Sequence, residues 1–430
     1  MMKVTIHPYN PEWKRLYEDE KVKIFNVCGN VIQHIGHIGS TSVPGLGAKP
    51  IIDIMTGLKV IEDSSLIIPK LQKLGYNYQP DQDFFPNHKY LSIKGKYHIH
   101  LVETNSEFWK RHLLFRDYLR YNNYVREEYY KLKMELSKCE WKDGNEFADA
   151  KTDFIRKTES EAYRWFTQKT EETEANAYYD MYSSSSESTK KNCGLKFMKD
   201  GHIHFIRTDV YPRFGWNHVT GAGLYEEIDE ILVKKIIDFY TGSNSIFSIQ
   251  LVPEALNSET EQLLNRNNFQ LKNYWVRLYR DTSEIENVKS SLGIKEINEN
   301  FYDEFTSTIT GIFGMDARLK GLFEGTLPSD KWIHYAAFEG DQLAGTGSVY
   351  LDGDFAYIGN AATKPEYRNR GSQGLLLKTR IEATRLTGCR FIAAGVWADT
   401  PEYRNPSYHN MLRYGFRELY RRANFVYTKD

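Results

Sequence analysis

One stretch constrains the fold more than any other: FAYIGNAATKPEYRNRGSQGLLL, at positions 355–377. Residues 355–362 form an apolar, aromatic run that reads as a buried strand. Lys364, Pro365 and Glu366 break it, and Arg368, Arg370, Gly371 and Gly374 then crowd together ahead of the apolar face begun by Leu375, Leu376 and Leu377. A Gly- and Arg-rich turn that opens a helix offers unpaired backbone N–H groups and the positive end of the helix dipole to an anion. The stretch therefore predicts a strand, a pyrophosphate cradle and a helix in direct succession.

At 430 residues the chain is too long for one ordinary core, and two to four domains are expected. Its 56 Lys+Arg balance 57 Asp+Glu, so charge gives no bulk attraction to nucleic acid or to an anionic membrane. Cys28, Cys139, Cys193 and Cys389 are scattered without metal-type spacing, which argues against a disulfide framework or a zinc site. Residues 1–21 hold no apolar signal core, and no run of about 18 apolar residues occurs. A soluble, cytoplasmic protein is the expectation.

Taken in order, Trp13, Leu16, Tyr17 and Ile24 recur at helical spacing and predict an amphipathic first helix. Residues 37–50 are rich in Gly, Ser and Pro and lead into an apolar strand at 51–55 that carries one carboxylate, Asp53. A Gly-Ser turn can hold a phosphate on its N–H groups, and a strand carboxylate can hold a divalent metal beside it. Residues 117–165 read as two or three helices, with Arg116, Arg120 and Lys151 able to line that turn. Residues 167–192, with TQKTEETEA and four consecutive serines, read as a linker that is partly helical. Beyond it, strand, helix, aromatic turn and strand occur twice, at 245–279 and 390–427, which suggests two related copies. The first copy has Gly221 and Gly223 ahead of its helix but no Arg-Gly cradle.

HIGSTSVPGLGAKPIIDIM at 37–55, YHIHLVE at 97–103, FWKRHLLFRDYLR at 108–120 and FADAKTDFIRK at 147–157 resemble the GrpB family, within the polymerase-β-type nucleotidyltransferase superfamily. The resemblance covers about residues 3–166 and implies a mixed α/β, nucleotidyltransferase-like N-terminal domain over 1–166. It implies nucleotide contacts at Gly39, Ser40, Asp53 and His100, with Asp53 the first carboxylate of a metal site for Mg2+. The second carboxylate of that superfamily falls at Met55, a poor ligand for a hard cation, so a complete two-metal centre is not expected.

Residues 363–374, Asn405-Pro406-Ser407 and Gly415-Phe416 resemble the GNAT superfamily of acetyl-CoA-dependent N-acyltransferases. The resemblance implies a complete GNAT domain over 282–430 and a degenerate GNAT-like copy over 193–281, for an α/β (α+β) chain overall. It implies that acetyl-CoA is held by Ala361, Ala362, Thr363, Arg368, Asn369, Arg370, Gly371, Ser372, Gln373, Gly374, Leu375, Asn405 and Ser407, with Ser407 capping its helix. Gln373 departs from the family pattern, which has Gly or Ala there. The proton donor for the leaving thiolate, a Tyr in many members, falls at Met411; Tyr408 and Tyr414 are the alternatives. No general base stands out among Glu339, Asp341, Asp352, Asp354, Glu402 and His409. The reaction expected is direct transfer of an acetyl group to the amine of a small molecule, with a nucleotidyltransferase or a non-catalytic CoA-binding module as alternatives.

Overall fold

The computed structural model describes residues 1–83, 87–285 and 288–428. It is a mixed α/β chain that divides into two compact units, Met1–Phe166 and Thr167–Asp430. Among the described residues no helix is long and apolar enough to cross a membrane.

In the first unit, the strands order as His34–Ile38, Ile52–Leu58, Tyr97–Glu103, His88–Ile93 and Asn77–Tyr78. Ile52–Leu58 runs parallel to Tyr97–Glu103, which sets Asp53 opposite His98. Strand alternation sends Ile52 and Ile54 to one face, where they pack with Trp13 and Ile24 of the first helix, Glu12–Cys28. It sends Met55 to the other face, against Ile38, Trp109 and Leu113.

The second unit is built on one sheet of eleven strands. Along it run Gly293–Glu296, Trp332–Glu339, Gln342–Asp352, Phe355–Thr363, Phe391–Trp397, Phe269–Asp281, Arg417–Tyr427, Ser248–Leu251, His218–Thr220, Ile203–Arg207 and Lys196–Asp200. The order interlocks the two copies. Phe269–Asp281, from the first, is seated between two strands of the second, and Arg417–Tyr427, from the second, pairs with Ser248–Leu251 of the first. The expected division at 281/282 therefore does not separate two closed sheets, because each copy completes the other's hydrogen-bond ladder.

Residues 167–192 are not a linker. The helix Thr152–Ser183 runs through the first part and Glu187–Cys193 takes up the rest, with Ala177, Met181, Tyr182 and Cys193 in the core. The polar letters that suggested solvent are inside: Glu171 and Glu174 are 1% exposed. Glu171 and Glu174 lie 3.1 and 2.9 Å from Arg422 Nη1, and Glu174 Oε1 accepts from Arg277 Nη2 at 3.0 Å. Arg277 and Arg422 sit on the two interlocking strands and are fully buried. Burial pushes both carboxyls up, against the opposing pull of Arg277.

Candidate functional site

The central stretch folds as its residues require. Phe355–Thr363 is parallel to Phe391–Trp397, but the two are paired only from Phe355 to Ile358 against Phe391 to Ala394. Beyond Ile358 they diverge. On the other edge, the register with Gln342–Asp352 slips between Thr346 and Ser348, where Asn360 takes φ of +52°; past this bulge the pairing resumes at Thr346 with Ala362 and Gly345 with Thr363. The bulge is held from within. Thr346 Oγ1 donates to the Asn360 carbonyl at 2.9 Å and accepts from the Ala362 N–H at 3.2 Å. Arg380, 1% exposed, donates to the Gly359 carbonyl at 3.4 Å and to the Ser348 carbonyl at 3.5 Å. Of the predicted contacts here, Ala361 is exposed, Ala362 buried and Thr363 intermediate.

The helix Ser372–Leu386 opens beside this divergence. Its N-cap is Gly371, left-handed at φ +82°, and no side chain caps it. Leu375 N bonds to Gly371 O at 3.0 Å, so the N–H groups of Ser372, Gln373 and Gly374 precede the first intrahelical bond. A Cβ at Gly371 would be strained by that φ and would come within 2.9 Å of the Lys289 carbonyl. Ser372 Oγ is buried with no partner among the described residues. An uncapped helix start, a glycine that fixes it and an orphaned hydroxyl fit the diphosphate of a CoA-type ligand.

The flanking side chains divide. Arg368 and Asn369 are exposed at the turn, Asn369 with φ of +60°. Arg370 is committed elsewhere, its guanidinium on the carboxylate of Glu339. Gln373 accepts from Asn410 Nδ2 at 2.6 Å, so the residue that departs from the family pattern ties the cradle helix to Pro406–Arg413 instead of filling the turn. A Cβ on Gly374 would collide with the Tyr414 hydroxyl, which lies against this first helical turn. Asn405, not Ser407, is the N-cap of Pro406–Arg413: its Oδ1 accepts from Ser407 N at 3.0 Å, and its Nδ2 donates to the Trp397 carbonyl at 2.8 Å. Asn405 thereby holds the end of one diverging strand.

Tyr408 does not offer its proton to the cleft. Its hydroxyl donates to Glu418 at 2.9 Å, and burial, with the Glu418 charge, raises its pKa. Met411 packs in the core with Tyr408 and Phe416. Of the base candidates, Glu339 pairs with Arg370, Asp341 with Lys295, and His409 with Asp399 at 2.7 Å. Asp352 and Asp354 flank the start of Phe355–Thr363, the end where the strands are paired.

In the first unit, Gly39 meets Asp53, since a Cβ at Gly39 would run into the Asp53 carboxylate. Asp53 Oδ1 is 3.0 Å from His98 Nδ1. His100 Nδ1 is 3.0 Å from His88 Nε2 on the neighbouring strand. Met55 is fully buried. Among the described residues no three His, Cys, Asp or Glu side chains are grouped to hold a metal. The expected Mg2+ site at Asp53 is thus corrected: its carboxylate has a histidine partner, and the second-ligand position is closed by packing. Arg116 Nη1 and Arg120 donate to the carbonyls of His37 and Ser42, clamping the turn from both sides.

Residues 3–161 match the GrpB protein family, and residues 298–416 match the acetyltransferase (GNAT) family. A UPF0157 protein of Halalkalibacterium halodurans is 35% identical over 154 residues, 36% of this chain and 79% of that protein. The chain belongs to the GrpB family, and it carries a GNAT domain at its C-terminal side. The glutamate-rich protein GrpB of Alkalihalophilus pseudofirmus is 33% identical over 159 residues, 35% of this chain and 91% of that protein. Among solved structures, the conserved protein GrpB from Enterococcus faecalis shares 32% identity over 37% of this chain and 96% of its own, with a TM-score of 0.35. A GCN5-related N-acetyltransferase from Kribbella flavida shares 10% identity over 59% of this chain and 96% of its own, with a TM-score of 0.41.

Within the GNAT unit, sequence reasoning missed Asn360, Thr346 and Arg380, which shape the cleft without a motif. The one available signal was an Asn inside an apolar strand, since Asn tolerates positive φ. The first copy differs in charge. A cavity of about 640 Å³ behind Gly223 is lined by Glu226, Glu227, Asp229, Glu230, Glu254 and Glu259, with Arg266 paired to Glu230. Such a lining repels a diphosphate.

Proposed function

We propose that the GNAT unit transfers an acetyl group from acetyl-CoA to the amine of a small molecule. The observation that carries this reading is the divergence of Phe355–Thr363 from Phe391–Trp397 beside a glycine-capped, otherwise uncapped helix start. Bound acetyl-CoA supplies the activated acyl thioester. The turn at 368–374 positions its diphosphate with the N–H groups of Ser372, Gln373 and Gly374. Past the Asn360 bulge, Ala362 and Thr363 keep one edge on Gln342–Asp352, and the other edge of Ala361, Ala362 and Thr363, beyond the end of the pairing with Phe391–Trp397, can bond an extended arm as an added strand would. Asn405, by holding the Trp397 carbonyl, keeps that cleft open.

With no general base among the candidates, orientation and backbone electrostatics supply most of the acceleration. Of the two tyrosines, Tyr414 is the candidate donor, because its hydroxyl rests on the cradle helix while that of Tyr408 is held by Glu418. Incubation with acetyl-CoA and a panel of amines, with free thiol followed, tests the reading. The absence of both CoA binding and thiol release across the whole panel overturns it. Tight binding without release supports a second reading, a CoA-binding module, which the core position of Met411 favours.

A further inference from the structure

Among the described residues, three lysines of the GrpB unit stand without an ion-pair partner. Lys133, on Asn123–Leu136, is 2% exposed, and its ammonium donates to two neutral acceptors, Ser40 Oγ at 3.2 Å and the Gly47 carbonyl. Lys49 and Lys151 hold their ammonium groups 4.6 and 4.5 Å from the centroid of one ring, Phe147, itself 1% exposed. Among the described residues none of the three comes within the 4.0 Å of a carboxylate that makes a salt bridge. The carboxylate whose field reaches Lys49 and Lys151 is Asp53, and it is bonded to His98.

The cost of this arrangement shows in the lysines themselves. Burial and then Lys151 push Lys133 down to about 7, while burial and Lys49 push Lys151 down to about 8. Like charges gathered in a half-buried site destabilise one another unless an anion offsets them. The residues come from three separate segments, a loop, a helix and the start of another helix, so no helical repeat accounts for their meeting. Ser40, bonded to Lys133, joins them to the exposed Gly39 turn, which gives the cluster an open side.

We propose that Lys49, Lys133 and Lys151, with Ser40, bind the phosphate of a small phosphorylated molecule directly, without a divalent cation. A multiply charged phosphate matches three compact ammonium groups, where a single carboxylate leaves most of the charge unbalanced. The same field repels a free divalent cation, consistent with an Asp53 that is held by His98.

The test is calorimetric titration of the full chain in EDTA with inorganic phosphate, pyrophosphate and ATP. Excess acetyl-CoA fills the cradle, and the titrations are repeated in a Gly371→Val background, so the outcome does not depend on that second site. At least one probe is expected to bind; preference for pyrophosphate over ATP identifies a bare phosphate group as the ligand, and the reverse identifies a nucleotide. Lys49→Gln and Lys151→Gln, which truncate only partly buried side chains, are expected to keep the circular dichroism spectrum and weaken binding at least tenfold. Affinity is expected to fall from pH 7 to pH 9 as the lysines lose protons. Absence of binding by all three probes, binding only on addition of Mg2+, or unchanged affinity in both folded variants overturns the proposal.

Discussion

Arg422, on the last strand, and Glu174, on the helix Thr152–Ser183, meet at 2.9 Å with both side chains out of reach of solvent. The same glutamate receives Arg277 from the strand that the first copy lends to the second. One carboxylate thus bonds both members of the interlock. An ion pair this deep is weak evidence of net stability, since desolvation opposes the Coulomb gain, but its geometry is demanding and breaking it strands a charge.

Arg422→Ala is therefore expected to destabilise the chain by about 3–5 kcal/mol, because Glu171 and Glu174 lose a shared partner while staying buried. Urea denaturation measures it. A loss below about 1 kcal/mol, the range of a surface pair, shows that the network is solvated in solution.

Gly371→Val is expected to abolish acetyl-CoA binding while leaving the fold intact, because the strain falls on a half-buried turn, against the Lys289 carbonyl, and not on the core. Isothermal titration beside circular dichroism reads both. Gly374→Val makes a useful contrast: its side chain collides with Tyr414, so a loss of thermal stability accompanies the loss of binding.

Tyr408→Phe and Tyr414→Phe separate two roles. Tyr408→Phe removes the donor to buried Glu418, so a stability loss of about 1–3 kcal/mol is expected with turnover per folded molecule unchanged. Tyr414→Phe is expected to lower kcat with little change in KM for acetyl-CoA. The opposite pattern assigns the proton to Tyr408.

The contribution of three buried histidines to the stability of the second unit is expected to be lost on acidification from about pH 6.5 to pH 4, against the opposite trend of Glu171 and Glu174. Burial lowers His204 and His334 to about 4 and His218 to about 3, below the ordinary 6.5. In that window the unfolded chain binds protons that the folded chain refuses, so unfolding is favoured as pH drops and stability is fully present above 6.5. Each histidine contributes a slope of about 1.4 kcal/mol per pH unit within its own window. A dependence of the melting temperature on pH between 7 and 4.5 that is the same in the parent chain and in His204→Gln, His218→Gln and His334→Gln variants contradicts this.

The strand-turn-helix at 355–377 was legible because its cues are local: an apolar run, a proline, a left-handed glycine and a helix start all lie within a few residues. The motif at 37–55 was legible for the same reason, and so was the mismatch at Met55, which is buried where a second ligand would stand. The linker reading of 167–192 failed for a physical cause. Glu171 and Glu174 are polar in one dimension, and only Arg277 and Arg422, more than a hundred residues away, make them interior.

Sequence by itself determined the two kinds of domain, the glycine-opened helix start at Gly371 and the Gly39-Ser40 turn, since the last two depend on backbone conformations that neighbouring residues impose. Tertiary structure alone decided that the two GNAT-like copies share one sheet, that Arg370, Gln373 and Tyr408 have partners outside the cleft, and that His98 holds Asp53. Those outcomes depend on which charges and hydroxyls meet across the fold, and pairing at a distance leaves no periodicity in the chain to read.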